Sequence, residues 1–259
     1  DIGFYDDIIK IISYLPKERQ TLMFSATMAP KIRTLASKIL THPAEINIAM
    51  SKPASGVLQA AYLCYDKQKT ELIIHLITDK PDYNSILIFC STKKKVNELA
   101  QAMRKKKMEV EAISSDLEQK EREKVLQGFR AKRTRILVAT DVLSRGIDIK
   151  EINLIINYDV PQDAEDYVHR VGRTARADAT GVALTLVNPK DMYSFHQIEQ
   201  LIENEILKLP LPPEIGKGPE WRKPGARRKS GGKRKFNRKK NYKHSNKRQS
   251  RKNPGNKNR

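Results

Sequence analysis

Short apolar runs alternate with amphipathic segments along residues 58–207, and this alternation constrains the fold more than any other feature. Runs such as "ILVAT" and "LIIN" are apolar up to their last residue, which is typical of parallel strands covered on both faces. Strands that alternate with helical patterns indicate a parallel sheet wrapped by helices. We therefore predict an α/β domain with helices on both faces of a parallel sheet.

The predicted strands are Leu58–Tyr65, Ser85–Cys90, Val110–Ser114, Arg135–Ala139, Leu154–Tyr158 and Val182–Val187. The predicted helices are Gln68–Thr78, Lys94–Lys106, Leu117–Phe129 and Asp191–Leu207. Ser115 and Glu118 have the three-residue spacing of a capping box, which predicts the start of the third helix.

Residues 1–50 form a shorter piece, with predicted helices Asp6–Tyr14 and Pro30–Leu40 and predicted strands in "QTLMFSAT" and "AEINIA". One and a half strand-helix units cannot close a core, and the first residue is Asp1 rather than Met. We expect residues 1–50 to be the last part of a domain whose beginning is missing. Residues 51–57, rich in Ser, Pro and Gly, are predicted to link it to a second domain at 58–210.

Positive charge is concentrated at the carboxyl end of the chain. Residues 217–259 contain 19 Lys and Arg against one acid, a net charge of +18, whereas the other 216 residues carry only +2. Because aliphatic residues are almost absent after Pro213, residues 211–259 are predicted to be a disordered basic tail. Trp221, Phe236 and Tyr242 lie among its basic residues and can stack on unpaired bases while Lys and Arg bind phosphates. The alternative is a tail that only keeps the protein soluble.

No apolar run is long enough to span a membrane, and no signal peptide opens the chain, so we expect a soluble cytoplasmic protein. Cys64 and Cys90 lie in separate apolar runs and are predicted to be buried. Neither the cysteines nor the histidines show metal-ligand spacing, and no metal site is predicted within this chain.

Four stretches carry residues suited to binding chemistry. Ser25 and Thr27 in "FSATM" can hydrogen-bond across a cleft, although an ordinary strand end explains them equally well. Gln119 and Arg122 lie three apart at the start of a helix, where an anion such as a nucleic-acid phosphate is favoured; a solvated face is the alternative.

In "VATDVLSRGID", residues 138–148, Thr140 can donate to a phosphate and Asp148 can bind ribose hydroxyls at the carboxyl end of a strand, with Gly146 allowing a close approach. In "DYVHRVGRTAR", arginines at 170, 173 and 176 recur every three residues, which places them on neighbouring faces of a helical turn. Arg176 is suited to neutralise charge on a transferring phosphoryl group.

The order and spacing of these stretches resemble those of the DEAD-box RNA helicases of superfamily 2. Ser25–Thr27 is similar to motif III, Leu87–Thr92 to motif IV, Gln119 and Arg122 to the QxxR motif, Thr140–Asp148 to motif V and His169–Arg176 to motif VI. The opening "DIGFYDD" resembles the sequence that follows the DEAD tetrad. The resemblance covers residues 1 to about 210.

The resemblance implies two RecA-like domains that bind ATP between them: a remnant of the first at 1–50 and a complete second one at 58–210. Asp148 and Gly146 would contact ATP, Arg173 and Arg176 would reach the γ-phosphate, and Arg176 is the expected arginine finger. Thr92, Thr140, Gln119 and Arg122 would bind RNA. His169 would couple the ATP site to Ser25 and Thr27. Mg²⁺ would be held mainly by the missing first domain, since the sequence has neither a G-x-x-x-x-G-K-[ST] loop nor a DEAD tetrad.

Two positions depart from the family pattern: Ser114 replaces a common histidine and Ala175 a common glycine. The "SSDLEQ" and "RTARA" stretches look closest to the bacterial RhlE-like subgroup. The resemblance implies a full-length enzyme that uses ATP to bind RNA and separate short duplexes, with possible partners in ribosome assembly or RNA decay; the fragment alone is expected to be inactive. The alternatives are an RNA-binding or RNA-chaperone module without ATPase activity and a DNA-directed helicase of the same superfamily.

Overall fold

The computed structural model describes residues 4–25, 28, 30–46, 56–114, 116–141, 152–174 and 181–223. The helices are α1 (Tyr5–Ser13), α2 (Pro30–Ile39), α3 (Asp66–Ile77), α4 (Lys93–Lys105), α5 (Gln119–Arg130), α6 (Ala164–Val171) and α7 (Met192–Leu201). The strands are β1 (Val57–Leu63), β2 (Ile86–Phe89), β3 (Val110–Ile113), β4 (Ile136–Ala139), β5 (Leu154–Asn157), β6 (Gly181–Val187) and β7 (Leu207–Leu209). A short 3₁₀ turn follows at Pro213–Ile215.

The seven strands form one sheet in the order β3-β4-β2-β5-β6-β1-β7, and every pairing is parallel. The six strands predicted over residues 58–187 are all present, with ends shifted by no more than two residues. β1 begins at Val57, so the last residue of the predicted linker belongs to the sheet.

Alternate side chains of each strand pack into cores on opposite faces of the sheet. Ile86 and Ile88 of β2 lie in a cluster with residues of α3 and α4, whereas Leu87 and Phe89 lie in a cluster with Phe129 of α5. A third cluster joins β1 and β6 to α6 and α7. Both faces of the parallel sheet are therefore covered by helices, as the apolar runs predict.

The last helix is shorter than predicted, and a strand that was not predicted follows it. α7 ends at Leu201, after which the chain turns back and β7 pairs with β1, aligning Leu207 with Ala60. Glu199 stabilises this turn by accepting hydrogen bonds from the Ile206 N–H at 3.0 Å and from Lys208 Nζ at 2.5 Å. The single helix predicted over Asp191–Leu207 is therefore wrong in its last part.

Residues 211–223 belong to the packed domain, which is a correction to the predicted disordered tail. Leu211 and Ile215 pack against the core on the α3 face, and Gln68 Nε2 donates to the Ile215 carbonyl at 2.9 Å. Trp221 packs edge-on against Phe195, with ring centroids 5.8 Å apart. Trp221 is thus part of the fold rather than a ring held out for bases, while residues 224–259, with Phe236 and Tyr242, lie outside the described residues.

The predicted strand "QTLMFSAT" is not formed over its described part, residues 20–25. Leu22 and Phe24 are exposed there, and no strand of the described chain pairs with this segment. A strand needs a neighbour for its backbone hydrogen bonds, which explains the difference. In "AEINIA", residues 44–46 are also not a strand, and the rest lies outside the described residues. α1 and α2 form as predicted, and Lys38 Nζ donates to Tyr5 Oη at 2.7 Å.

The start of α5 also differs from the prediction. The helix begins at Gln119, with Glu118 as its N-cap and the Glu118 N–H donating to Glu121 Oε2 at 3.3 Å. Ser115, the predicted cap, lies outside the described residues. None of the described helices has the length and apolar character needed to span a membrane.

Candidate nucleotide and nucleic-acid site

Three neighbouring strands bring the predicted phosphate-binding residues to one edge of the sheet. Thr92 follows β2, Thr140 follows β4, and the helix carrying Gln119 and Arg122 follows β3. These strands are adjacent in the order β3-β4-β2, and the Cys90 N–H donates to the Ala139 carbonyl at 2.9 Å where two of them end. Ligands of open α/β sheets bind at the carboxyl ends of strands, so this edge is the candidate site.

Gln119 and Arg122 contact each other on the first turns of α5, as their spacing predicts. Arg122 Nη1 donates to Gln119 Oε1 at 3.1 Å, and Gln119 Nε2 donates to Glu123 Oε1 at 2.9 Å. Arg122 Nε is buried and has no hydrogen-bond acceptor among the described residues. Arg122 Nη2 also donates to the Leu117 carbonyl at 3.4 Å, so the guanidinium is fixed at the start of α5.

Thr92 is the N-cap of α4. Its Oγ1 accepts a hydrogen bond from the Lys95 N–H at 3.3 Å, so its hydroxyl hydrogen can be donated to a ligand at this helix N-terminus. A helix N-terminus favours anions. The local structure therefore suits a phosphate next to Thr92.

Arg170 is the first arginine of the predicted cluster, and its guanidinium makes its hydrogen bonds within the domain. Its side chain is only 3% exposed, and Nε and Nη2 bind both carboxylate oxygens of Asp141 at 2.6 Å. Nη1 donates to Asn157 Oδ1 at 3.0 Å and to the Asp159 carbonyl at 2.9 Å. Arg170 therefore ties α6 to the end of β4 and cannot reach a bound phosphate. Sequence reasoning missed this role; the acid next to Thr140 was its only signal.

The turn predicted for the arginines is present for the first two, since the Arg173 N–H donates to the Arg170 carbonyl at 3.1 Å. α6 ends at Val171, and Gly172 caps it by donating to the Val168 carbonyl at 2.8 Å. Arg173 follows the helix, and the Thr174 hydroxyl anchors the next residue to the Ile152 carbonyl. Arg173 thus leaves α6 while Arg170 stays buried in it, and Arg176 lies outside the described residues.

Residues 68–178 match the family described as Helicase conserved C-terminal domain. The DEAD-box ATP-dependent RNA helicase CshA of Geobacillus kaustophilus is 38% identical over 213 residues, which are 82% of this chain and 45% of that protein. The solved structure of the E. coli DEAD-box protein SrmB bound to regulator of ribonuclease activity A is 31% identical; the match covers 65% of this chain and 97% of that chain, with a TM-score of 0.58.

The chain belongs to the DEAD-box family. It carries the carboxy-terminal RecA-like domain of that family, as the resemblance predicts. S. cerevisiae Dbp5 bound to RNA and ADP BeF3 is 30% identical over 79% of this chain and 55% of that one, with a TM-score of 0.69. The chain spans less than half the length of the curated relatives it matches first, 45% and 43%.

The predicted site residues fall into three groups, named here by the DEAD-box motifs that they resemble. Motif IV (Thr92), the QxxR pair and Thr140 of motif V meet at one sheet edge. His169 is half-buried on α6, and Ser25 is exposed at the end of an irregular segment, so their coupling remains a prediction. Thr27, Gly146, Asp148 and Arg176 lie outside the described residues, and their roles also remain predictions.

Motif IV rests on a buried ionic cluster that the sequence did not reveal. Asp159, which follows β5, accepts hydrogen bonds from Lys95 Nζ at 2.6 Å, the Ser91 N–H at 2.8 Å and Lys69 Nζ at 3.4 Å. Burial disfavours the charged form of Asp159, but the Lys95 bond, the Ser91 N–H and the charge of Lys69 outweigh it, and its pKa is lowered. The cluster therefore holds the β2–α4 loop through a carboxylate that stays ionised at neutral pH.

Proposed function

We propose that this chain is the carboxy-terminal part of an ATP-dependent DEAD-box RNA helicase that couples ATP binding and hydrolysis to RNA binding and local duplex unwinding. The carrying observation is the convergence of Thr92, Thr140 and the Gln119–Arg122 pair on one sheet edge in a DEAD-box chain.

RNA binding uses the phosphate-directed donors of that edge. Arg122 supplies a guanidinium that Gln119 holds at the start of α5, while the Thr92 hydroxyl and the α4 N-terminus supply another anion site. These groups contact backbone rather than base edges, so binding by them is largely independent of sequence. Dbp5, whose structure was solved with RNA and ADP BeF3, provides the comparison that supports this assignment.

The ATP side is proposed from the motif positions. Asp148 binds the ribose and Gly146 allows ATP to approach closely, Arg173 and Arg176 approach the γ-phosphate, and His169 couples this site to Ser25 and Thr27. The buried Arg170–Asp141 pair joins the segment of Thr140 to the helix that leads to Arg173, so RNA-binding and ATP-binding motifs share one rigid connection.

Magnesium belongs to the proposed enzyme but finds no ligand set within the described residues, where no group of three or more His, Cys, Asp or Glu is placed to bind a metal. The sequence also lacks the G-x-x-x-x-G-K-[ST] loop and the DEAD tetrad. We propose that the first domain supplies most of the Mg²⁺ ligands and the phosphate cradle of the full-length enzyme.

The test is RNA-stimulated ATP hydrolysis by the full-length protein, compared with the 259-residue chain alone. We expect turnover by the full-length protein that RNA stimulates and DNA of the same sequence does not, and no turnover by the chain alone. A full-length protein that binds RNA without hydrolysing ATP would indicate the RNA-chaperone alternative. Equal stimulation by DNA would indicate the DNA-directed alternative.

We also propose membership of the bacterial RhlE-like subgroup, a cytoplasmic location and partners from ribosome assembly or RNA decay. The "SSDLEQ" and "RTARA" stretches support the subgroup. Cell fractionation, followed by affinity purification of the tagged full-length protein with and without ribonuclease, tests the location and the partners. Recovery in the membrane fraction, or loss of all partners after ribonuclease treatment, would contradict these two proposals.

A further inference from the structure

A groove of about 680 Å³ lies at the carboxyl ends of β1 and β6, away from motifs IV and V. Its lining includes Tyr65, Pro189, Lys190, Tyr193, Pro219 and Arg222. In the sheet order, β1 is three strands from β2, which corresponds to about 14 Å at the usual strand spacing. The groove is therefore distinct from the motif-bearing edge while facing the same end of the sheet.

The walls of the groove are fixed by contacts between residues far apart in the chain. Asn188 accepts hydrogen bonds from the Lys190 and Asp191 N–H groups and donates to Asp66 Oδ1 at 2.8 Å. Gln68 Nε2 donates to the Ile215 and Lys217 carbonyls, and these bonds hold the segment that leads into the wall formed by Gly218–Arg222 against α3. The groove is thus preformed, and a ligand does not have to order its walls.

Two aromatic rings on these walls are exposed, although the walls themselves are well packed. Tyr193 is 60% exposed and Tyr65 is 43% exposed, whereas the neighbouring Trp221 ring packs against Phe195. Aromatic faces held open on rigid walls beside proline rings suit flat ligands that stack, and every nucleobase presents such a face.

The charge of the groove and of the chain that follows it favours an anion. Lys190 and Arg222 line the groove against one carboxylate, Glu220. Residues 224–259, which follow directly in the sequence, contain 16 Lys and Arg and no acid. Phosphate groups of a nucleic acid match this excess of cations, and the tail raises the local concentration of RNA near its point of attachment at Lys223.

We propose that this groove binds one or two unpaired nucleotides of single-stranded RNA, with bases stacked on Tyr193 and Tyr65 and phosphates held by Lys190 and Arg222. The proposal rests on the proposed function in that RNA is the substrate, and it adds a second RNA contact outside the helicase motifs. An RNA strand leaving the motif-bearing edge would be held here.

The first test uses Trp221, the only tryptophan of the chain, which lies between the groove residues Glu220 and Arg222. We would titrate the whole chain with oligouridine at raised salt, which weakens the contribution of the tail, and follow Trp221 fluorescence. Tyr193→Ala and Tyr65→Ala should each weaken binding roughly 5- to 150-fold, the range for loss of one base stack.

Tyr193→Phe keeps the ring and should bind normally. Tyr14→Ala, which removes a 77% exposed tyrosine from the end of α1, is the control for loss of an exposed ring outside the groove and should also bind normally. Unchanged affinity of both groove variants would overturn the proposal and leave the groove to a protein partner.

The second test maps contacts by photocrosslinking oligouridine that contains 5-iodouridine, followed by mass spectrometry. We expect crosslinks at Tyr193 or Tyr65. Crosslinks confined to residues 224–259 or to the motif residues would overturn the proposal. Failure of RNA-stimulated ATP hydrolysis in the full-length protein, with groove crosslinks intact, would contradict the helicase function instead, so the two failures are distinguishable.

Discussion

Two apolar segments with nearly the same pattern have opposite outcomes in this protein. "SILIFC" at residues 85–90 contains the central strand β2, paired with β4 and β5, and Phe89 is completely buried. "QTLMFS" at residues 20–25 forms no strand, and Phe24 is 89% exposed. The difference teaches that an apolar run becomes a strand only where neighbouring strands complete its hydrogen bonds and helices cover its faces.

The largest effect is expected in ATP turnover by the full-length protein, where we expect the domain that contains residues 20–25 and the domain that contains β2 to act together. If Arg176 stabilises charge that develops on the transferring phosphoryl group, Arg176→Ala should lower turnover by about 10³–10⁵. ATP affinity should change much less, and Arg176→Lys should rescue poorly because lysine lacks the planar guanidinium fork. Single-turnover hydrolysis measures this, and normal turnover by the lysine variant would show that Arg176 only contributes charge.

The comparison itself is tested by a matched pair of phenylalanines. Phe89→Ala should lower the free energy of unfolding of the chain by about 3–5 kcal/mol, since it leaves a cavity between β2 and α5. Phe24→Ala should change it by less than about 0.5 kcal/mol, because that ring is already in solvent. Urea denaturation measures both values. A large loss for Phe24→Ala would mean that the first segment packs in solution.

Loss of the ionic cluster should have the next largest effect, in the second region alone. Asp159→Asn leaves Lys69 with Asp66 as its remaining carboxylate, at 3.3 Å, so a loss of about 3 kcal/mol is expected, the lower end for a broken buried pair. Glu98→Gln, which removes an exposed carboxylate 3.8 Å from Lys94, is the control and should have little effect.

The contribution of Asp159 to the free energy of unfolding should depend on pH in a defined direction. Because the folded pKa of Asp159 is lowered, its contribution is fully present above its unfolded pKa of about 3.9 and is lost as pH falls through the folded value. The difference in unfolding free energy between Asp159→Asn and the unchanged chain should be constant from about pH 7 to pH 5 and shrink below about pH 4. If this difference in unfolding free energy shrinks near pH 6 instead, a titrating group other than Asp159 is responsible for it.

The smallest expected effect concerns the chain after the second region. If six of the cations in residues 224–259 bind RNA phosphates, deleting these residues should flatten the slope of log affinity against log salt by about 4. Titration of labelled single-stranded RNA at several salt concentrations measures this slope. Equal slopes and affinities with and without the segment would leave it no role in RNA binding.

Local pattern was sufficient for six of the seven strands because continuous apolar runs have few other stable arrangements. Six strands, both covered faces and the contact between Gln119 and Arg122 follow from periodicity and spacing alone. The motif resemblance correctly predicted the family, and the sheet order places three of the stretches predicted to bind RNA at one edge.

Tertiary structure alone decided which polar side chains are buried in hydrogen bonds and which terminal residues pack against the domain. Arg170 looks like its neighbour Arg173, yet it is buried against Asp141, 29 residues away. Residues 211–223 read as the start of a tail, but Gln68, 147 residues before Ile215, holds them in the domain. The sequence by itself determined where chain segments favour strand or helix, because that preference is local. It did not determine these contacts, since their free energy depends on partners that only the folded chain brings together.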